Sequence, residues 1–228
     1  MVGPVLSVVI PVWNEQEALQ SCLSPLQPMR SRGCEVILSD GGSFDKSLER
    51  AAGLADRILQ ASKGRARQMN AGSELARGRV LLFLHADTVL PKGADWLISQ
   101  GLKETGRCWG RFDVRLSGRS LLFRVIEQLM NCRSRWTGIA TGDQALFVQR
   151  SVFLQSGGFA DIPIMEDIEM SRRLKRFGPP LCLRERVVTS SRRWEERGIL
   201  RTICLMWSLR AAYFFGVSPE RLARRYRS

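Results

Sequence analysis

The stretch Val5-Leu6-Ser7-Val8-Val9-Ile10-Pro11-Val12-Trp13-Asn14-Glu15 decides how this chain is read. It is apolar almost without a break from Val5 to Val12, which suits a strand buried on both faces. A polar pair, Asn14-Glu15, follows immediately. The same grammar returns downstream. Cys34-Glu35-Val36-Ile37-Leu38-Ser39 ends in Asp40-Gly41-Gly42-Ser43, Arg57-Ile58-Leu59 makes a short third strand, and Val80-Leu81-Leu82-Phe83-Leu84 ends in His85-Ala86-Asp87. Helical spacing separates these runs at Glu15–Ser24, which Pro25 and Pro28 are expected to stop, at Leu48–Leu54, and at Gly64–Arg77. Strand and helix in alternation predict an α/β fold: a mostly parallel, Rossmann-like central sheet with helices on both faces. Ligands of such sheets bind at the carboxyl ends of the strands, where Asn14-Glu15, Asp40 and Asp87 would converge.

The second half is less regular. Strands are expected at Trp109–Leu116, Ala145–Val148 and Leu181–Val188, and helices at Leu121–Arg133 and Glu166–Phe177. No linker divides the chain, so residues 1–195 read as one domain and 196–228 as a helical extension.

The 228 residues carry 35 Lys and Arg against 22 Asp and Glu, a net charge of +13. The excess is local: residues 1–170 hold 20 basic and 18 acidic side chains, and residues 171–228 hold 15 and 4. An ordinary hydrophobic share of 44% excludes a disordered or collagen-like chain. Six scattered Cys without a C-x-x-C pair read as reduced thiols rather than as a disulfide or zinc framework. Met1-Val2-Gly3-Pro4 lacks the basic start of a secretory leader, and the expected location is cytoplasmic. Ile199–Val217 is apolar almost all round and flanked by Arg clusters. Its length is borderline for a span, and an Arg near its centre would cost about 2.5–3.5 kcal/mol there. A helix docked on the domain, or one lying at an anionic membrane surface, is the expectation. The apolar tail favours lipid headgroups over nucleic acid, so no nucleic-acid partner is expected.

Several polar groups are candidates for chemistry. Asp40 before two glycines is either an ordinary turn or a carboxylate facing a nucleoside. Asp87 ends an apolar strand, where a charge needs a ligand or an ion; with a diphosphate it could hold Mg²⁺ or Mn²⁺. His85, the only histidine, is a second metal candidate or a packed side chain. Lys63, Arg65 and Arg67 surround a helix start, either as an anion site or as a solvated basic face. Glu166-Asp167-Ile168-Glu169 is either a first helical turn rich in acids or the home of a tuned base. Asp143, with Gln144, belongs to the same open class, and Arg192-Arg193-Trp194 combines anion binders with an aromatic platform.

Taken in order, these segments, with Gly157-Gly158-Phe159, resemble the family 2 glycosyltransferases of the GT-A fold, from about Ser7 to Trp194. Within them the chain is most similar to the selenodomain-associated branch. The resemblance implies a nucleotide pocket lined by Pro11, Asn14 and Glu15, with Asp40 on the uracil or ribose. Arg193 and Trp194 resemble the R-W element that holds the diphosphate and the acceptor site, and Arg67, from the basic helix start, is a further donor-binding candidate. Asp87 matches the last acid of the D-x-D metal motif, and His85 stands where the first Asp is expected. Asp167 matches the general base, with Glu166 beside it, and Asp143 and Gln144 would form the acceptor rim. The implied reaction is an inverting, metal-assisted transfer from a UDP-sugar to a hydroxyl of a lipid-like or small acceptor. Nucleotidyl transfer, a catalytically silent nucleotide-binding relative and a basic nucleic-acid-binding protein remain open alternatives.

Overall fold

The computed structural model describes residues 4–227. Met1 to Gly3, most of the segment from which the lack of a leader is expected, lie outside the described residues, as does the side chain of Arg227. The first half runs β1 (Leu6–Val12), α1 (Gln16–Leu23), α2 (Gln27–Ser31), β2 (Glu35–Asp40), α3 (Ser47–Ala51), β3 (Arg57–Gln60), α4 (Arg65–Leu75), β4 (Val80–Phe83), β5 (Thr88–Val89) and α5 (Ala94–Thr105). It continues with β6 (Trp109–Leu116), α6 (Leu121–Thr137), β7 (Phe147–Gln149), α7 (Arg150–Gln155), α8 (Glu166–Leu174), β8 (Leu181–Thr189), α9 (Arg192–Arg197), α10 (Ile199–Phe214) and α11 (Pro219–Arg227).

Among the described residues the strands form one sheet in the order β3-β2-β1-β4-β7-β6-β8-β5. β3, β2, β1 and β4 are parallel, as are β6 and β8; β7 is antiparallel to both of its neighbours, and β5 to β8. Alternation within the apolar runs explains their lack of polar positions. Leu6, Val8, Ile10 and Val12 join one buried cluster with α1 and α5, while Val9 enters a second cluster with α4, α7 and α8. β2 and β4 divide their side chains in the same way. Close contact sets the position of α4: a Cβ on Gly72 would lie 2.5 Å from Cγ1 of Val9. Pro11 is tolerated in a central strand because the last β1–β4 pair is Val9 with Phe83, so its missing N–H faces no strand.

Three sequence expectations change here. Pro25 and Pro28 do not stop the chain's helical course; each sits in the first turn of the next helical piece, where a missing N–H is harmless. α5 went unread, although Ala94, Ile98 and Leu102 bury one stripe. The two-residue β5 also went unread. It matters because Thr88 pairs with Thr189 and thereby ties the segment after β4 to the start of α9. The C-terminal helices are docked on the body. Leu209 and Leu222 are buried with Ile164, Met165 and Ile168, and Trp194, Ile199 and Ile203 pack on Leu116, Phe123 and Ile126.

Candidate active site

The carboxyl ends of β1, β2 and β4 meet at one rim. Asn14 takes a left-handed φ of 53°, donates its N–H to Ser43 Oγ at 2.9 Å, and accepts from the Phe44 N–H at 3.0 Å. Asp40 is almost fully buried. Its Oδ2 accepts the N–H groups of Gly42 and Ser43, each at 2.9 Å, and its Oδ1 accepts the Ser43 hydroxyl at 2.5 Å. Asp40 thus builds the loop from within. The loop's exposed edge is formed by Phe44 and Trp13, in an edge contact at 6.5 Å, with Lys63 Nζ 3.2 Å from the Trp13 ring centroid. Sequence reasoning missed Gln68. This buried amide donates to Val12 O at 2.6 Å and to Ser39 O at 2.8 Å, and accepts from the Gly64 N–H at 3.3 Å. It joins two strand ends to the Lys63–Gly64 turn. A glutamine at the second turn of a polar helix gives no pattern from which this could be read.

Glu15 and Asp87 form the acidic part of the rim. Burial pushes the Glu15 carboxyl above the usual carboxylate range, and the Asp87 charge pushes the same way against Arg192, His85 and Arg65. Glu15 Oε2 is buried without a hydrogen-bond partner, and Arg192 Nη2 lies 3.9 Å away. Among the described residues no group of three or more His, Cys, Asp or Glu side chains is arranged to hold a metal. The orphaned Glu15 oxygen beside Asp87 nevertheless fits a hard divalent cation that takes its other oxygens from a substrate diphosphate and water. His85 Nδ1 lies 3.6 Å from Asp143 Oδ1, and the ring packs so closely on Gly142 that a Cβ there would strike it. Burial and Arg65 pull the imidazole down, but Asp143 and Asp87 together outweigh them, so the His85 pKa is raised.

In one cavity with His85, Asp167 is held by two backbone donors: Gly142 N–H reaches Oδ2 and Ile168 N–H reaches Oδ1, both at 2.7 Å. Glu166 is buried beside it, with Arg65 Nη1 at 3.7 Å. Burial and the Asp167 charge raise the Glu166 pKa, and Arg65 opposes them. Met165, just before this pair, adopts φ 72°, and Ala145, just after the turn that carries Asp143, adopts φ 48°. With Asn14, these are the non-glycine residues of positive φ among those described, and all three flank the site. Such strain persists where the surrounding structure over-determines the backbone.

Some expected site residues face elsewhere. Gln144 is fully buried; its Oε1 accepts the Thr141 N–H at 3.2 Å and its amide reaches Asn131 Oδ1 at 3.4 Å, so it braces the turn instead of lining a rim. Arg67 is exposed and paired with Asp161 at 2.7 Å, while Arg65 faces the acids. Of the Arg192-Arg193-Trp194 triplet, Arg192 reaches Glu15, Arg193 lies 4.6 Å over the Tyr226 ring, and Trp194 packs on α6. Pro11 is buried at the sheet edge of the pocket.

A GT-A-like rim of this kind has a counterpart in sequence: the family model for Glycosyl transferase family 2 matches residues 7–160. The chain belongs to this family. Among its relatives, a PGL/p-HBAD biosynthesis glycosyltransferase of Mycobacterium bovis is 35% identical over 97 residues, which cover 40% of this chain and 38% of that protein. The probable glycosyltransferase YdaM of Bacillus subtilis is 25% identical over 199 residues, or 77% of this chain and 47% of that protein. The chain thus spans less than half the length of either. Among solved structures, S. aureus TarS 1-349 in complex with UDP superposes with a TM-score of 0.67 at 16% identity, over 81% of this chain and 60% of that one. Glucosyl-3-phosphoglycerate synthase from Mycobacterium tuberculosis, in complex with Mn²⁺ and UDP-glucose, gives 0.61 at 18%, over 82% and 70%. These structural likenesses establish the α/β GT-A-type fold.

Proposed function

We propose that this family 2 member is an inverting glycosyltransferase that moves a sugar from a UDP-sugar to a hydroxyl acceptor, with Asp167 as general base. The observation that carries the reading is the Asp167 carboxylate. It is fixed by the Gly142 and Ile168 N–H groups and lines one cavity with His85 and Glu166. Two structural neighbours, solved in complex with UDP and with UDP-glucose, support the choice of donor class. In the proposed reaction the acceptor hydroxyl gives its proton to Asp167, and its oxygen attacks the anomeric carbon from the face opposite the leaving group. The bond to the diphosphate oxygen breaks, and UDP departs with the electron pair. Arg65, Arg192 and Arg193 would offset charge growing on the diphosphate. Asp87 and Glu15 would hold a divalent Mg²⁺ or Mn²⁺, which supplies Lewis-acid stabilisation of the leaving group when bound. Trp13, Asn14 and the loop braced by Asp40 would receive the nucleoside.

The test is release of UDP from UDP-sugars by the wild type and by Asp167→Asn. The variant should bind UDP normally and lose about 10²–10⁴-fold in turnover. Undiminished turnover would refute the base, and pyrophosphate as product would point to nucleotidyl transfer instead.

A peripheral membrane site for this reaction has its own observation. Leu121, Val125, Leu129 and Trp136 recur along one face of α6 and are exposed, as are Leu200, Trp207 and Phe214 on α10. Arg119 and Arg201 flank these faces. No described helix is long and apolar enough to cross a membrane, and aromatic-rich apolar faces with basic flanks suit an anionic lipid surface. Flotation with vesicles containing anionic lipid should carry the wild type and leave Trp207→Ser/Phe214→Ser behind. Equal absence of both proteins from the float would refute it.

A further inference from the structure

Arg133, on α6, carries a guanidinium whose Nε and Nη2 are buried and meet no hydrogen-bond partner. Its helix is clamped to the candidate site. Asn131 bonds the backbone of Val114 on both sides and meets the Gln144 amide, and the same turn presents Gly142 to Asp167. From the other direction, Leu209 of α10 is buried with Ile164, Met165 and Ile168, which docks α10 on the segment before α8, and Arg210 on that helix acts electrostatically on both Arg133 and Asp143. The Arg210 side chain has no hydrogen bond or ion pair among the described residues. Asp167 and Asp143 act on Arg133 without forming an ion pair with it, and Asp113 is already taken by Arg111 and Arg135. A buried guanidinium with unmade hydrogen bonds and no ion pair is costly unless a ligand supplies them.

We propose that Arg133 and Arg210 form an oxyanion subsite that holds a phosphate or carboxylate group of the acceptor next to Asp167. The proposal rests on the reading of Asp167 as the acceptor-side base. Burial pulls the Arg133 guanidinium down to about 10, with Arg210 acting the same way and Asp167 and Asp143 against it. Both arginines therefore share one neighbourhood with the two acids. A guanidinium offers a fork of donors that matches an oxyanion. An anchor at the acceptor's charged end would leave a nearby hydroxyl free to meet Asp167, which is how remote binding orients a reacting atom.

Inorganic phosphate is the probe, titrated at constant ionic strength while thermal stability is followed, with and without saturating UDP. The wild type should show a saturable phosphate shift that persists when UDP is bound. Arg133→Gln and Arg210→Gln should each weaken the phosphate response at least about tenfold, with the UDP response kept within about twofold. A phosphate response abolished by UDP, or a parallel loss of UDP binding in the variants, would assign the arginines to the donor diphosphate and overturn the proposal. Absence of any phosphate response in the wild type would also overturn it. Absence of a UDP response alone would instead strike the donor reading. Arg133→Gln that raises thermal stability while losing the phosphate response is the signature of a ligand site, whereas a purely structural arginine would lower it.

Discussion

Replacing Gln68 tests whether one buried amide holds the donor side of the rim together. Its side chain makes three hydrogen bonds, to Val12 O, Ser39 O and the Gly64 N–H, of which the last, at 3.3 Å, is the weakest. A net contribution of about 0.5–1.5 kcal/mol per bond puts Gln68→Leu at about 2–4 kcal/mol of lost stability. Val12 O keeps the Gly41 N–H as a partner, which favours the lower part of that range. Gln68→Glu separates hydrogen bonding from shape. A carboxylate oxygen would then oppose two carbonyl oxygens, so the variant should be less stable than Gln68→Leu at pH 7. Its folded-state pKa would be raised, because the protonated carboxyl can still donate one bond. Stability of Gln68→Glu should therefore fall as pH rises through the interval between the ordinary carboxylate value and the raised one. Urea melts at pH 5 and pH 7 give both comparisons, and the UDP-induced shift in melting temperature reports the rim. A loss below about 0.5 kcal/mol for Gln68→Leu, or identical pH responses of the two variants, would refute the reasoning.

Glu166 has a raised pKa, foremost from burial, so the folded state binds its proton more tightly than the unfolded chain does. That part of the stability is present at low pH and is lost as pH rises through the raised value. Glu166→Gln should gain on the wild type in urea melts between pH 5 and pH 8, and a constant gap would contradict this. Gly72→Ala would place a methyl 2.5 Å from Val9 Cγ1. Overpacking of about 1–3 kcal/mol should outweigh the better helix propensity of Ala, which is about 1 kcal/mol. A variant with an unchanged or higher melting temperature would show that α4 can move off the sheet.

The first half of the fold was legible because long apolar runs with polar residues at their ends leave few topologies open. The convergence of Asn14, Asp40 and Asp87 follows from strand ends alone. What was not legible is where individual side chains turn. Arg65 and Arg67 share a helix start and a charge, yet 200° of helix separates them, and only one faces Glu166. Trp194 follows two arginines in sequence but belongs to the apolar cluster under α6. The antiparallel β7, and the two-residue β5 that brings Arg192 to Glu15, carry too few residues for a pattern. Arg133 went unread because it sits in an amphipathic helix like any surface arginine, and its missing partner is a property of three dimensions.

The buttressing of Ile164, Met165 and Ile168 by Leu209 and Leu222 carries a lesson about modularity. The family match ends at residue 160, yet Asp167 lies beyond it, in a segment propped up by the chain's last helices. A cut after residue 195 that isolates the apparent domain would strip the wall from behind the candidate base while leaving the nucleotide loops intact. Such a fragment should still bind UDP and fail at transfer. On the proposed reading of Asp167, the donor and acceptor halves would have separate mechanical supports, and new acceptor preferences could arise by reshaping the C-terminal helices without disturbing the loops after β1 and β2.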